Sequence, residues 1–326
     1  MKIFDKSIIA VLLSLTFCAI ALAIGFHSKV ATKSPKAFLT ERNLSDVRKD
    51  KRFKQKESSD KVLSADKLSI AFNSLKYDLA GVIKKGAFVP RIFLEKIPTD
   101  MSDIQRPKQK KEIFFKIVLP IILKANNKII TDRQRLLRIG IETNSLLGIN
   151  ALDKLWLAAM SDKYKTRRDD VSQLLLRVDI IPPSIALAQA AEESGWGTSR
   201  FAIEGNALFG QWTYGVSNSL IPLGRDLGKK HRVKVFPTIF DAVKAYMHNL
   251  NTHNAYREFR KKRENLRKKK LPLFSEKLLG SLKNYSQRRD EYIKTVRSII
   301  SSNQLDILDN AKLGGDYVII VQPPTI

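Results

Sequence analysis

Pro182-Pro183-Ser184-Ile185-Ala186-Leu187-Ala188-Gln189-Ala190-Ala191-Glu192-Glu193-Ser194-Gly195-Trp196-Gly197-Thr198-Ser199 is the stretch on which the reading of this chain turns. The two prolines suit a helix start, because N–H groups of the first turn have no intrahelical partner to lose. Small and strongly helix-forming residues follow. Gly195-Trp196-Gly197 then ends the run, since glycine enters the left-handed conformation that closes a helical C-terminus without steric cost. Glu193 therefore falls in the last helical turn, at the negative end of the helix dipole and beside the carboxylate of Glu192. Both influences oppose ionisation. A carboxyl that keeps its proton near neutral pH is what glycosidic bond cleavage requires of its general acid.

Outward from this helix the pattern stays helical. Leu68, Phe72 and Leu75 mark one helix; Ile113, Phe114, Val118, Ile121 and Ile122 mark another, bent at Pro120. Arg133 to Leu146, Leu152 to Met160 and Val171 to Val178 continue in the same style, with a charged stretch from Lys163 to Asp170. No alternating strand pattern is visible before Phe209. Gly210 to Phe236 differs: glycines and prolines interrupt it, and Val216 to Ile221 and His231 to Phe236 have strand character, which predicts a loop or small hairpin lobe across a groove. Helix resumes at Asp241, through Ala242, Ala245, Tyr246 and Leu250. The expected fold is mainly α with a small β-hairpin lobe. The expected order is a signal peptide or membrane anchor (1–27), a flexible basic linker (28–66), helices that brace the catalytic part (67–170), the catalytic domain (171–305) and a C-terminal tail (306–326).

The chain has 326 residues and a formal net charge of +26, from 58 Lys and Arg against 32 Asp and Glu. Such a charge implies a polyanionic partner: nucleic acid, anionic lipid or the acidic polymers of a cell wall. Ile8 to Phe26 is uncharged and follows Lys2 and Lys6, so it reads as a signal peptide or an inner-membrane anchor. Ala21-Leu22-Ala23 offers a cleavage site, whereas the apolar run through Ile24 and Phe26 suits an anchor; either way the body is exported. Export, and the lack of an aromatic-basic reader motif, argue against nucleic acid. Nucleotide binding is set aside too, because Gly224 to Lys230 is a residue short of a phosphate-binding loop and lacks its Ser or Thr. Cys18 is the only cysteine, and His27, His231, His248 and His253 lack the spacing of a helical metal pair, so neither metal nor cofactor is expected. The strongest basic cluster, Arg260 to Lys270, reads either as a contact for anionic wall polymer or membrane, or as a solvated helix end.

Ala188-Gln189-Ala190-Ala191-Glu192-Glu193-Ser194-Gly195-Trp196-Gly197, followed by Asn206-Ala207-Leu208-Phe209-Gly210, resembles the paired motifs of the bacterial glucosaminidase family (glycoside hydrolase family 73 type, mannosyl-glycoprotein endo-beta-N-acetylglucosaminidase-like). Val89 to Leu94, Tyr246 to Tyr256 and Tyr285 to Lys294 are similar to the Bax subgroup of that family, so the resemblance runs from about Gly86 to Leu305. It implies a lysozyme-like fold and a periplasmic peptidoglycan hydrolase that cuts the β-1,4 bond after N-acetylglucosamine. The family's acid directly precedes Ser-Gly-Trp, a role that carries over to Glu193. Lytic transglycosylase-like cleavage and a non-catalytic wall-binding scaffold stay open as alternatives.

Glycoside hydrolysis commonly uses two carboxyl groups. Asp226 is the acid between Gly210 and Phe236, though a turn aspartate satisfying local backbone N–H groups fits it as well; Glu204 is a weaker candidate. Alternatively the substrate's N-acetyl group serves as internal nucleophile. A tyrosine on the last helix then assists, and the resemblance implies Tyr292, with Tyr285 as competitor. The expected substrate contacts are Asn206, Phe209, Gln211, Trp212 and Tyr246, with Trp196 and Tyr214 as further aromatics that either stack on sugars or act as buried supports.

Overall fold

A computed structural model describes residues 64–142, 148–222 and 230–321, with backbone alone for 316–321. The apolar stretch Ile8 to Phe26, the expected linker as far as residue 63, and Asp226 lie outside the described residues; residues 64–66 are the cap and start of a helix. Among those described, no helix is long and apolar enough to cross a membrane.

Ser64 and Asp78 cap the first two helices, α1 (Ala65–Ser74) and α2 (Leu79–Lys85), through side-chain oxygens that accept otherwise unpartnered N–H groups. Strand β1 (Val89–Leu94) leads into α3 (Pro107–Glu142), the axis of the molecule. The periodicity predicted two helices here. They are one helix of 36 residues, continuing through Pro120, and every residue from Ile113 to Leu123 is buried. A helix apolar all round is one surrounded by other elements, and this one is. Packed around or beyond it come α4 (Ala151–Tyr164), α5 (Val171–Arg177), α6 (Pro183–Ser194) and α7 (Arg200–Gly205). Short strands β2 (Trp212–Thr213), β3 (Ser219–Leu220) and β4 (Arg232–Lys234) form an antiparallel sheet of order β2-β4-β3. Then follow α8 (Ile239–Thr252), α9 (Arg257–Lys268), α10 (Ser275–Leu279), α11 (Asp290–Ser302) and strand β5 (Leu313–Val321). The body is mainly helical with two small sheets. One apolar core runs from Ala65 to Leu308, so the helices before Val171 and those after it bury a common interior.

Two expectations need correction. A strand does precede Phe209: β1 pairs in parallel with β5, Val89 opposite Leu313 and Leu94 opposite Val321. Its apolar residues are not alternating but bunched, with Val89, Ile92, Phe93 and Leu94 buried, so a period of two was never there to find. Pro90 has no N–H for a ladder, and the register shifts between Val89 and Arg91. Residues 306–321 are accordingly a 3-10 turn and a strand, not a bare tail.

The basic run is the second. Arg260 and Arg263 are buried, at 2% and 1% exposure. Arg263 donates to the carbonyls of Leu176, Arg177, Asp179 and Ile180, which are left open at the end of α5; Arg260 does the same for Leu250 and His253 at the end of α8. Arg267 grips Asp179 with two hydrogen bonds, of 3.0 and 2.8 Å. These arginines fasten helix ends to one another. The lysines at 261, 262 and 268–270 are exposed, as is part of Arg267.

Candidate active site

The helix that carries Glu193 is held from both ends. Pro182 and Pro183 open α6 without a side-chain cap of their own, and Asp309, 125 residues away, accepts the N–H of Ser184 at 2.9 Å. The same carboxyl accepts the N–H of Ser275 at 3.0 Å, so one aspartate caps α6 and α10 together. Residues Pro183 to Ala191 are buried, and their small side chains let α3 and α11 pack closely on either side. At the far end Gly195 closes the helix at φ +57. Gly197, at φ +79, is required twice over, because a Cβ there would lie 3.2 Å from the Phe114 ring. Trp196 packs edge-on against Phe114 and Phe115 with Lys111 over its ring, so it supports the turn and does not face a sugar.

Glu193 is thereby set at the floor of a groove of about 670 Å³. Phe209, Gly210, Gln211 and Trp212 form one wall; Asn249, Tyr256, Tyr285 and the loop 284–289 form the rest. Gly210 sits so near the carboxyl that a Cβ would be 3.5 Å from Glu193 Oε2, and its φ of +57 also favours glycine. The two sequence motifs therefore meet at one carboxyl group.

Below Glu193 lies a directed chain of hydrogen bonds. The Tyr246 hydroxyl donates to Gln189 Oε1 at 2.6 Å, and Gln189 Nε2 donates to Tyr292 Oη at 2.9 Å. Tyr292 in turn hydrogen-bonds the Glu193 carboxyl. Burial raises the Glu193 pKa above the ordinary carboxylate range; the Tyr292 hydrogen bond opposes this, Glu192 adds to it and Arg288 subtracts. The largest influence is thus desolvation, which the local sequence did not display. Arg288 is salt-bridged to Glu192 and lies 5.5 Å from the centre of the Tyr292 ring. Burial lifts the phenols of Tyr246, Tyr285 and Tyr292 well above 10, so they remain protonated donors.

A family profile described as mannosyl-glycoprotein endo-beta-N-acetylglucosaminidase matches residues 168–305, which span both motifs and the whole groove. Over 201 residues the chain is 32% identical to Protein bax of Escherichia coli (strain K12), an alignment covering 60% of this chain and 70% of that protein. The chain belongs to this Bax-like glucosaminidase family. The catalytic domain of the autolysin Auto from Listeria monocytogenes is a structural neighbour, with 18% identity and a TM-score of 0.32 over 50% of this chain and 90% of that one.

The other residues singled out in this Bax-like chain fall into distinct places. Trp212 is 61% exposed on the groove wall, its ring stacked on His231 at 4.4 Å, and Gln211 lines the groove beside it. Phe209 is nearly buried and stacks on Tyr246 at 3.9 Å with the rings 7° apart. Tyr246 itself, expected at the groove surface, has 0% exposure, which removes it as a sugar contact. Asn206 is likewise buried: it closes α7 at φ +51, and its amide donates to the carbonyls of Phe236 and Pro237, tying the β-lobe to α7. Tyr292 is also at 0% exposure and meets the groove only through its hydrogen bond with Glu193; Tyr285, its stacked neighbour at 5.5 Å, is the one that lines the groove. Glu204 is paired with Arg200 on α7 and Tyr214 is exposed on the lobe.

Gln189, which joins Tyr246 to Tyr292 beside Glu193, is the residue that sequence reasoning passed over. Its signal was available, since it lies four residues before Glu193 and so on the same helical face. Asn249, Tyr256 and Arg288 carried no such local signal.

A second groove of about 560 Å³ lies against Lys128, Tyr164, Lys234, Lys244 and His248. Its Asp241 is held below the usual carboxylate range: burial would raise it, but hydrogen bonds and charge from Lys244 and Thr238 prevail. Asp132 lines this groove as well, and the paired sequence motifs meet in the first groove, not in this one. Among the described residues no cluster of His, Cys, Asp and Glu able to hold a metal ion is found.

Proposed function

We propose that this chain is an exported peptidoglycan hydrolase that cleaves the β-1,4 glycosidic bond after N-acetylglucosamine, with Glu193 as the general acid. The observation that carries the reading is a single carboxyl, desolvated at the floor of a groove and biased toward its protonated form. In that state it can give its proton to the leaving glycosidic oxygen as the bond breaks. Trp212 offers an exposed ring face on which a sugar can stack, with Gln211 and the groove-lining Asn249 as hydrogen-bonding partners for its polar groups. The proposed division has residues 171–305 carrying the chemistry and 67–170 bracing it, since α3 packs against both α6 and α8. Residues 8–26 would serve as signal peptide or inner-membrane anchor and place the body in the periplasm.

Glu193 is the only carboxylate among the described residues that line the groove. That favours the substrate's N-acetyl group as the internal nucleophile, with Asp226, outside the described residues, as the alternative second acid. The same lone carboxylate suits a transglycosylase-like outcome, in which the sugar's own 6-hydroxyl captures the intermediate. The test is mass spectrometry of muropeptides released from purified peptidoglycan by residues 64–326, with Glu193→Gln alongside. New reducing-end N-acetylglucosamine, absent with the variant, supports the proposal. Anhydromuramic ends would mean transglycosylase cleavage of the other bond, after N-acetylmuramic acid, and overturn the proposal. Wall binding by both proteins with no release would leave a binding scaffold.

A further inference from the structure

We propose that Gln189 and Tyr246 are positioning residues that fix the direction of the hydrogen bond between Tyr292 and Glu193. The inference deepens the reading of Glu193 as the acid and rests on it. Neither residue lines the groove, and both have 0% exposure, so neither is placed to touch substrate.

A primary amide has two unlike ends, an acceptor and a donor. As placed, Gln189 turns its carbonyl to the Tyr246 hydroxyl, at 2.6 Å, and its NH₂ to Tyr292 Oη, at 2.9 Å. Tyr292 Oη is then an acceptor toward Gln189, and its own proton is free to be given to Glu193. With the amide turned over, the NH₂ would face Tyr246 and the carbonyl would take the Tyr292 proton. Glu193 would lose its donor, and the Tyr246 hydroxyl proton would be left in the core facing another donor. An unpaired buried donor is costly, so the orientation that satisfies Tyr246 is the one that sends the Tyr292 proton to Glu193. Phe209, stacked 3.9 Å above Tyr246, fixes the ring from which this choice begins. The Leu-Phe-Gly motif thus supports the acid twice, through Gly210 beside the carboxyl and through Phe209 on the first member of the chain.

The consequence concerns protonation. A hydrogen bond given to the carboxyl stabilises its ionised form and holds back the rise that burial imposes. The titratable and charged groups around Glu193 are Glu192 on α6, Arg288 before α11, Tyr292 on α11, and Tyr246, Tyr256 and Tyr285 beneath. The tyrosines stay protonated, and the Tyr246 hydroxyl donates to Gln189 while Glu192 pairs with Arg288, so a substitution at Tyr246 isolates the relay.

The experiment is a titration of the Glu193 side-chain carboxyl by ¹³C NMR in the protein spanning residues 64–326, with the resonance assigned by its loss in Glu193→Gln. Tyr246→Phe keeps the stacked ring and removes the hydroxyl; the amide carbonyl is then free to turn to Tyr292 and compete for its proton. The Glu193 midpoint should move up by about half a pH unit, and in Tyr292→Phe by about one unit. Tyr246→Phe should add nothing in the Tyr292→Phe background. Where turnover is measurable, the alkaline limb of kcat/KM should move by the same amounts, because the acid must be protonated to act. An unmoved midpoint in Tyr246→Phe, or additive shifts in the double variant, overturns the relay. The titration needs no turnover, so inactivity of the wild type and of Glu193→Gln alike would instead count against the acid assignment alone.

Discussion

Glu193 and Asp179 are both carboxyl groups taken largely out of water, and the protein treats them in opposite ways. Asp179, at 2% exposure, is penalised by burial, yet Arg263, the hydrogen bonds from Arg267 and the charge of Arg133 hold it below the ordinary carboxylate range. Glu193 has no cation of its own. Arg288, whose charge opposes the rise, is engaged by Glu192, so burial wins and the Glu193 pKa is raised. Desolvation is common to the two sites; the partners decide the outcome. Asp179 is thereby a fastener between α5, α9 and α3, and Glu193 is a groove carboxyl with a raised pKa, the one proposed as the acid.

The largest effect expected from breaking this contrast is loss of chemistry. Glu193→Gln should lower glycan cleavage by about 10²- to 10⁴-fold, the usual share of a general acid, as read by reducing-end assay on peptidoglycan. Its stability should move the other way. A carboxyl whose folded-state pKa is raised stabilises the fold at low pH and forfeits that contribution as pH rises past its folded value. Glu193→Gln should therefore match the wild type in Tm below pH 4.5, the ordinary value for glutamate, and exceed it at neutral pH and above. Equal Tm values across the whole range would contradict a buried, proton-retaining carboxyl.

Removing Asp179 attacks the other member of the pair. Asp179→Ala leaves Arg263, at 1% exposure, without its counter-charge, and breaking a buried pair in this way costs about 3–5 kcal/mol, visible in urea unfolding. The sign in pH is opposite to that of Glu193. Stability from a depressed carboxyl is fully present above its ordinary value of 3.8 and fades as pH falls through the folded value, so the gap between wild type and variant should narrow in acid. A smaller loss follows at the shared cap: Asp309→Ala strips α6 and α10 of an N-terminal acceptor and should cost about 1–2 kcal/mol per cap. The smallest change sharpens the comparison most. Glu192→Gln removes the charge that raises Glu193 and releases Arg288 to act on it, so the alkaline limb of activity should move to lower pH by less than about one unit. An upward shift would mean that Arg288 leaves the site when its partner is lost.

What was legible in the sequence was local. The prolines, the small-residue run and the glycines bound α6 within a residue, and the asparagine and glycine turn after it closes α7, because caps and left-handed positions depend on a few neighbouring residues. Glu193 at the end of that helix followed directly. The strand β1 did not, since a bunched apolar segment with a proline carries no period of two. Its partner lies more than two hundred residues away.

The sequence by itself thus determined the two ends of α6, the mainly helical class and the place of Glu193 in that helix's last turn. The tertiary structure alone decided which charges face inward. It turned Arg260 and Arg263 from a basic surface into helix fastenings, and Tyr246 and Asn206 from groove residues into supports. It also lined up Tyr246, Gln189 and Tyr292 beneath Glu193, from three helices distant in the chain. The physical reason is that capping and periodicity are properties of adjacent residues. Burial and the pairing of polar groups within it are set by whatever the rest of the chain brings alongside.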